Sequence, residues 1–487
     1  MPPVQMLSRL FEPAADQRLT GWLFLKLLAL IYFAAFFSLV FQIEGLVGPQ
    51  GILPYGERLQ ADYSRYGPLA WLYNPTLFWF NAGDAALQGA AITGCLLSVA
   101  LLFARRPLLP LILLFILYLS LMHAGQMFLN FQWDTLLLES GFLAILIARG
   151  PNLLTILLFH WLLFRLRFLS GISKLLSQDP AWSGLTALNS YFETQPLPHT
   201  GAWYAHQLPE WMLQGATGIV LFSEIIVPFF IFLPRPFRLF AAAITILIQL
   251  LIIMTSNHNW INLLTILLCI FLLDDRIVAR VVPARLANRI HSTGTVHESK
   301  PHNLFCAAVA VLILTASLSW MFEMITGKGS VKPVREIALN VRSFGQGNVF
   351  HVFPTMQVER QELQIEGSQD GIEWRSYEFN FKPGALNKRP EFIVPWQPRL
   401  DWMIWFVPSQ RRDQLYWLDR LLQHLERNTP QVTALLANNP FSGKPPRYLR
   451  VLAFRYHFTT AEERATSGNW WRRELLGEFP YVPPRVP

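Results

Sequence analysis

The chain has 487 residues, of which 52% are hydrophobic, 14% aromatic and only 15% charged, with a net charge of +8. A soluble globular chain carries about 25% charged residues, so the composition excludes an ordinary soluble enzyme and points to a polytopic membrane protein. The positive balance comes from Arg and Lys in short loops between apolar segments; no basic stripe on a soluble module argues for nucleic acid as a partner.

The opening stretch, MPPVQMLSRLFEPAADQRLT, mixes both charges and runs into an apolar segment long enough to span, so it does not read as a signal peptide. A span needs about 20 apolar residues. Nine segments reach or approach that length: 22–41, 85–104, 107–123, 135–148, 152–169, 213–233, 239–255, 261–273 and 304–324. A Gly/Pro-rich loop follows the first, and the aromatic stretch 71–80 after it is expected at headgroup level. The fourth segment is short and holds Glu139, with Asp134 just before it as an expected helix N-cap. The fifth holds Arg165 and Arg167, and the sixth Glu224 and Pro228. An intramembrane charge requires a partner; Arg165 is the one expected for Glu139.

Loop charge gives the orientation. Arg105 and Arg106, Arg149, Arg235 and Arg238, and the loop 276–300 form a basic set that alternates with Arg-poor loops. The positive-inside rule places that set and the N-terminus on the cytoplasmic side. The Gly/Pro loop, "HAGQMFLNFQWD", 165–211, "SNHNW" and everything after about residue 325 then share the outer face.

From Gly327 the composition changes. "REIALNVRSF", "TMQVERQELQIEGS", "EWRSYEFNFKP" and "RYLRVLAFRYHFTT" read as strands, with a hairpin turn at Asp370-Gly371. "RRDQLYWLDRLLQHLERN" reads as a helix with Leu415, Leu418, Leu422 and Leu425 on one face. Trp396, Trp402 and Trp405, in and beside "RLDWMIWF", form either an exposed aromatic surface or a small strand-built core. The expected architecture is an α-helical membrane domain of about nine spans (1–326) and a soluble β-rich domain (327–487).

Function is expected on the outer-face platform 165–211, which interleaves Arg165, Lys174, Asp179, Trp182, Glu193, Trp203 and His206. Gly171 is expected to let the chain turn as it leaves the fifth span. Lys174 follows within one helical turn and is the candidate catalytic residue. Buried, its amine is able to act as a base or nucleophile; otherwise it is an interfacial lysine anchoring a helix end. A buried Lys174 is expected under Trp182, reaching Asp179 or Glu193. Glu224, His206 and His258 make a possible outer cluster without metal-ligand spacing. Cys95, Cys269 and Cys306 all fall in apolar runs and build neither a disulfide framework nor a CxxC pair. GxSxG, P-loop and GxGxxG patterns are absent. Neither metal nor cofactor is expected.

"LTALNSYFETQPLPHTGAWYAHQLPEW" with the following "SEIIVPFFIF", the earlier "FQWDTLLLESGFLAI", and "GSQDGIEWRSYEFNFKPG" with "PRLDWMIWF" together resemble the lipase maturation factor family, in order, from about residue 49 to about 459. That resemblance implies a membrane protein that helps secreted lipases fold and assemble, in the endoplasmic reticulum of a eukaryote or, for a bacterial homologue, in the inner membrane with the C-terminal domain in the periplasm. Its implied partners are a secreted client, a lipase or another hydrolase, and membrane lipids. A shorter stretch, "SGISKLLSQDPAW", is similar to vitamin K-dependent carboxylases and their horizontally transferred transmembrane relatives, although the spacing from Lys174 to Asp179 is longer. It implies the alternative of a membrane-embedded enzyme with Lys174 as base. The non-enzymatic class is preferred.

Overall fold

The computed structural model describes residues 8–292 and 300–480. Expectations placed on 1–7, on 293–299 of the basic loop and on 481–487 lie outside the described residues. Each of the nine apolar segments forms a helix: α1 (Arg18–Val40), α2 (Asp84–Phe103), α3 (Leu108–Ala124), α4 (Gln132–Leu146), α5 (Leu153–Leu176), α6 (Glu210–Ile225), α7 (Arg235–Thr255), α8 (Ile261–Cys269) and α9 (Lys300–Thr326).

Six of these regions are long and apolar enough to cross a membrane: Ala15–Val40, α2, α5, Glu210–Phe232, α7 and α9. The expected count of nine is not reached on that criterion. α3 has 17 residues, α4 has 15 and α8 has 9. At about 1.5 Å per residue, a helix like α4 covers roughly 22 Å of a hydrocarbon layer about 30 Å thick. α4 and α8 are buried nearly all round, as helices in the interior of a bundle are.

Local chemistry sets the boundaries. Asn152 and Thr155 form a reciprocal capping box that starts α5. Pro234 and Pro236 set up the first turn of α7. The stretch 71–80 forms a short helix and turn with Trp71, Tyr73 and Phe80 exposed, in keeping with a headgroup-level role.

After α9 the chain departs from the expected strand. "REIALNVRSF" belongs to a helix, α10 (Lys332–Ser343), which folds back on α9. Ala338 and Val341, three residues apart, pack on Ala316 and Trp320. That is helical spacing, and it outweighs the short polar/apolar alternation.

The sheet beyond is antiparallel in the order β2-β1-β3-β4: β1 (Arg360–Ser368), β2 (Trp374–Tyr377), β3 (Tyr448–Phe458) and β4 (Trp471–Glu478). β1 and β2 meet at the expected hairpin. Gly371 has φ +79°, and the Asp370 carboxylate accepts from the backbone N–H groups of Ile372 and Glu373. "RLDWMIWF" forms a short helix, α11 (Arg399–Ile404), in place of a strand. Trp402 is buried in it, whereas Trp405 is only half-buried. α12 (Tyr416–Glu426) is helical as expected, but its buried face uses Leu418, Leu421 and Leu425, with Leu422 at the edge. The domain is thus a small sheet with helices around it.

The sheet docks directly onto the platform. Phe454, Tyr456, Phe458, Trp470 and Trp471 pack against Phe192, Ala202, Trp203, Ala205 and Leu213. Trp203 Nε1 donates to the Thr459 carbonyl at 2.9 Å.

Candidate functional site

Five charged residues inside the bundle, Glu139, Arg165, Arg167, Lys174 and Glu224, and one loop from the C-terminal side build the site. The loop, 344–357, leaves α10 and runs back against the membrane helices. Gly345 and Gly347 have φ +70° and +68°, and a Cβ on either would lie 2.8 Å from Leu138 or Ala316. Only glycine meets both the backbone angle and the close approach.

That approach delivers Asn348 to the Glu139–Arg165 pair, which forms as the sequence implies. Arg165 also donates to the Asn348 carbonyl at 2.7 Å, and Asn348 donates from its backbone N and Nδ2 to Glu139 at 3.3 Å. Both charged side chains are fully buried.

One turn and more along α5, Lys174 is buried under Trp182, with Nζ 5.0 Å from the ring centroid. Its carboxylate partner is Glu224 of α6, at 2.7 Å, and not Asp179 or Glu193. Nζ also donates to Ser170 Oγ at 3.0 Å and to the Val352 carbonyl at 2.9 Å. The three N–H groups of the ammonium therefore all have acceptors. Arg167 approaches the other Glu224 oxygen at 3.4 Å.

Gly171 serves this contact in a way the sequence does not announce. It lies within α5 and not at a turn; a Cβ there would be 2.8 Å from the Glu224 Cβ. Its role is to let α6 come close.

Asp179 caps the one-turn helix Pro180–Ser183 through the Ala181 N–H and accepts from Met356 N at 2.6 Å. Glu193 accepts from Phe458 N at 2.6 Å and lies 2.9 Å from His457 Nδ1 and 3.7 Å from His206. Burial lowers the His206 pKa against the pull of Glu193. His258 packs with Tyr191, whose hydroxyl is 2.6 Å from Nε2. Burial, with His199 nearby, pushes the His258 pKa down to about 4. Glu224, His206 and His258 thus belong to three separate contacts.

Asp134 is not the expected N-cap: Phe131 holds that position, and the carboxylate points into the protein. It takes two hydrogen bonds from Arg399 of α11, at 2.7 and 2.8 Å, and a third from Tyr118 at 2.6 Å. Arg360 at the start of β1 donates to the carbonyls of Glu193, Gln195 and Pro196. Arg399, Arg360 and Asn348 escaped the sequence reading. The signal for Arg399 was an arginine amid aromatics in "RLDWMIWF" together with a buried carboxylate lacking a nearby cation.

These pieces surround an open cleft of about 730 Å³ between α4 to α8, the 344–357 loop and α11. Trp133, Trp182, Tyr191, Phe353, Trp402 and Trp405 form much of its wall, and Lys174, Arg167 and Glu224 line it among them. Among the described residues, no cluster of His, Cys, Asp and Glu could hold a metal ion.

Comparison with known proteins adds the family. Residues 19–280 match the lipase maturation factor transmembrane domain, and 347–483 match the lipase maturation factor C-terminal domain. Lipase maturation factor 2 of Xenopus tropicalis is 33% identical across 95% of this chain and 82% of its own length. The chicken protein of that name is 34% identical across 94% and 80%. Lipase maturation factor 1 of cattle is 31% identical across 99% and 92%. No solved structure matches the chain. With six long apolar helices among its described residues, the chain is an integral membrane protein.

Two outcomes are expected. Arg399→Leu strands a buried carboxylate and should destabilise the protein by about 3–5 kcal/mol, while Asp134→Asn combined with Arg399→Leu recovers part of that loss. Unfolding in mild detergent measures both. His258 is protonated less readily when folded than its ordinary value of 6.5, so stability is full above that pH and falls as pH drops towards 4. Between pH 7 and 5 its contribution to that loss is about 2 kcal/mol, and a His258→Gln protein should lack it.

Proposed function

The chain belongs to the lipase maturation factor family, and from that membership we propose that it is a membrane-bound maturation factor that assists the folding and assembly of secreted proteins, lipases first among them. The observation that carries this reading is the match along both the membrane and the C-terminal parts. The relatives' names specify lipase maturation, which does not favour the carboxylase-like alternative.

All nine apolar helices cross the membrane in this proposal, with α3, α4 and α8 packed inside the bundle where local thinning of the layer lets them reach across. The N-terminus is cytoplasmic. The platform 165–211 and the C-terminal domain, taken as 327–487 against a membrane domain of 1–326, face the endoplasmic reticulum lumen in a eukaryote or the periplasm in a bacterium. There the docked sheet and platform form one body that a client meets.

Lys174 is a positioning residue in this reading. Its saturated hydrogen bonds to Glu224, Ser170 and Val352 tie α5, α6 and the 344–357 loop together.

Deleting the gene should lower the active yield of an exported lipase without lowering its transcript; unchanged activity of every exported lipase tested removes the lipase reading. In the same assay, Lys174→Arg should retain most of the yield, because arginine keeps the charge but stays protonated and cannot serve as a base. A correctly inserted, stable Lys174→Arg protein with no activity would instead favour the enzyme.

A further inference from the structure

The cleft has a shape that follows from how α6 and α7 are held. Val227–Phe232 connects them at one end. At the other end two platform helices, Ala187–Thr194 and Thr200–His206, stand between them. Leu188 N donates to Thr217 on α6, while Gln195 donates to the Thr255 carbonyl of α7 and His199 meets that of Ile253. The result is a wedge roofed by the platform. Val220 and Glu224 from α6 and Gln249 and Ile252 from α7 line it. Ile219, Phe222, Leu250 and Leu251 on the same helices are exposed, so hydrocarbon borders the wedge.

Its charge is unbalanced. The lining carries Arg167, Lys174 and Arg342 against the single carboxylate Glu224. Lys174 at 2.7 Å and Arg167 at 3.4 Å share that carboxylate, which leaves the lining with two positive charges in excess. Arg342, at the exposed rim, stacks 5.3 Å from the Trp320 ring and has no ion-pair partner among the described residues. The excess positive charge calls for an anion, and the aromatic walls and membrane wedge call for an acyl chain.

We propose that this cleft binds an anionic glycerophospholipid drawn from the bilayer. Its phosphate is met by Arg167 and its entry steered by Arg342, and its acyl chain lies in the wedge beside Val220 and Ile252. The proposal requires no client and stands apart from the maturation reading.

The test uses the full chain in phosphatidylcholine nanodiscs containing a small fraction of phosphatidic acid with a photoactivatable acyl chain. Labelled peptides should map to 217–225 and 249–262. Unlabelled phosphatidic acid should compete, and extra phosphatidylcholine should not. Ile252→Trp fills the acyl side of the wedge, and Arg342→Gln removes an exposed charge. Each should cut labelling by about tenfold, the effect expected of losing one good contact, with the protein still folded by circular dichroism. Competition by inorganic phosphate would show an anion site with no lipid selectivity and overturn the assignment. Labelling spread over the outward surfaces of the bundle, without competition or loss in either variant, would mean annular lipid only and overturn it as well.

Discussion

A carboxylate shut away from water must be met by a cation and by enough hydrogen-bond donors to replace its hydration. Asp134 meets that demand through Arg399, 265 residues further along the chain. Two Arg399 nitrogens and the Tyr118 hydroxyl saturate the carboxylate, and the Arg399 guanidinium also lies 5.5 Å from the Trp260 ring. α3, α4, the start of α8 and α11 of the C-terminal domain thereby converge on one charge pair. Next to it, Gln42 at the end of α1 donates to the Gln397 carbonyl and accepts from Arg399 N. Neither part of the molecule can shift against the other without uncovering Asp134.

Two other buried carboxylates repeat the arrangement at different depths. Glu139 is shared by Arg165 and Asn348, and Glu224 by Lys174 and Arg167. In each case a second chain segment, the loop at 348 or at 352, completes the bonding. Buried ion pairs of this kind add little net stability compared with apolar packing, but breaking one is costly. They therefore act as registration marks: they reward one arrangement of α4, α5, α6 and the 344–357 loop over sliding alternatives.

How much of this the sequence disclosed depends on how local each demand was. Glu139 and Arg165 stand in consecutive apolar segments, so a pair between them follows from the expense of isolated charge. Lys174 beneath Trp182 and the turn at Asp370-Gly371 are equally local. The Lys174–Glu224 contact was not legible, because α6 lies opposite α5 only once Gly171 removes the obstructing Cβ. Asp134 was read as a cap since its true partner belongs to a segment whose aromatic pattern imitates a strand. α10 was lost for the same reason: six residues of alternation are ambiguous until Ala338 and Val341 have a surface to face. The nine helices were all readable from composition, whereas membrane crossing by the three short ones depends on packing that composition does not encode.

The distance along the chain between Asp134 and Arg399 also has a meaning in time. Synthesis proceeds at roughly 5–20 residues per second, so the 265 residues that follow Asp134, up to and including Arg399, take on the order of 13–50 seconds to appear. For that interval α4 has been made and its aspartate has no arginine. The half-built bundle must keep that carboxylate wet or screened, at a translocon mouth or beside another protein, until the last third of the chain arrives. A factor whose business is the assembly of other proteins is itself, during its own birth, a substrate in waiting.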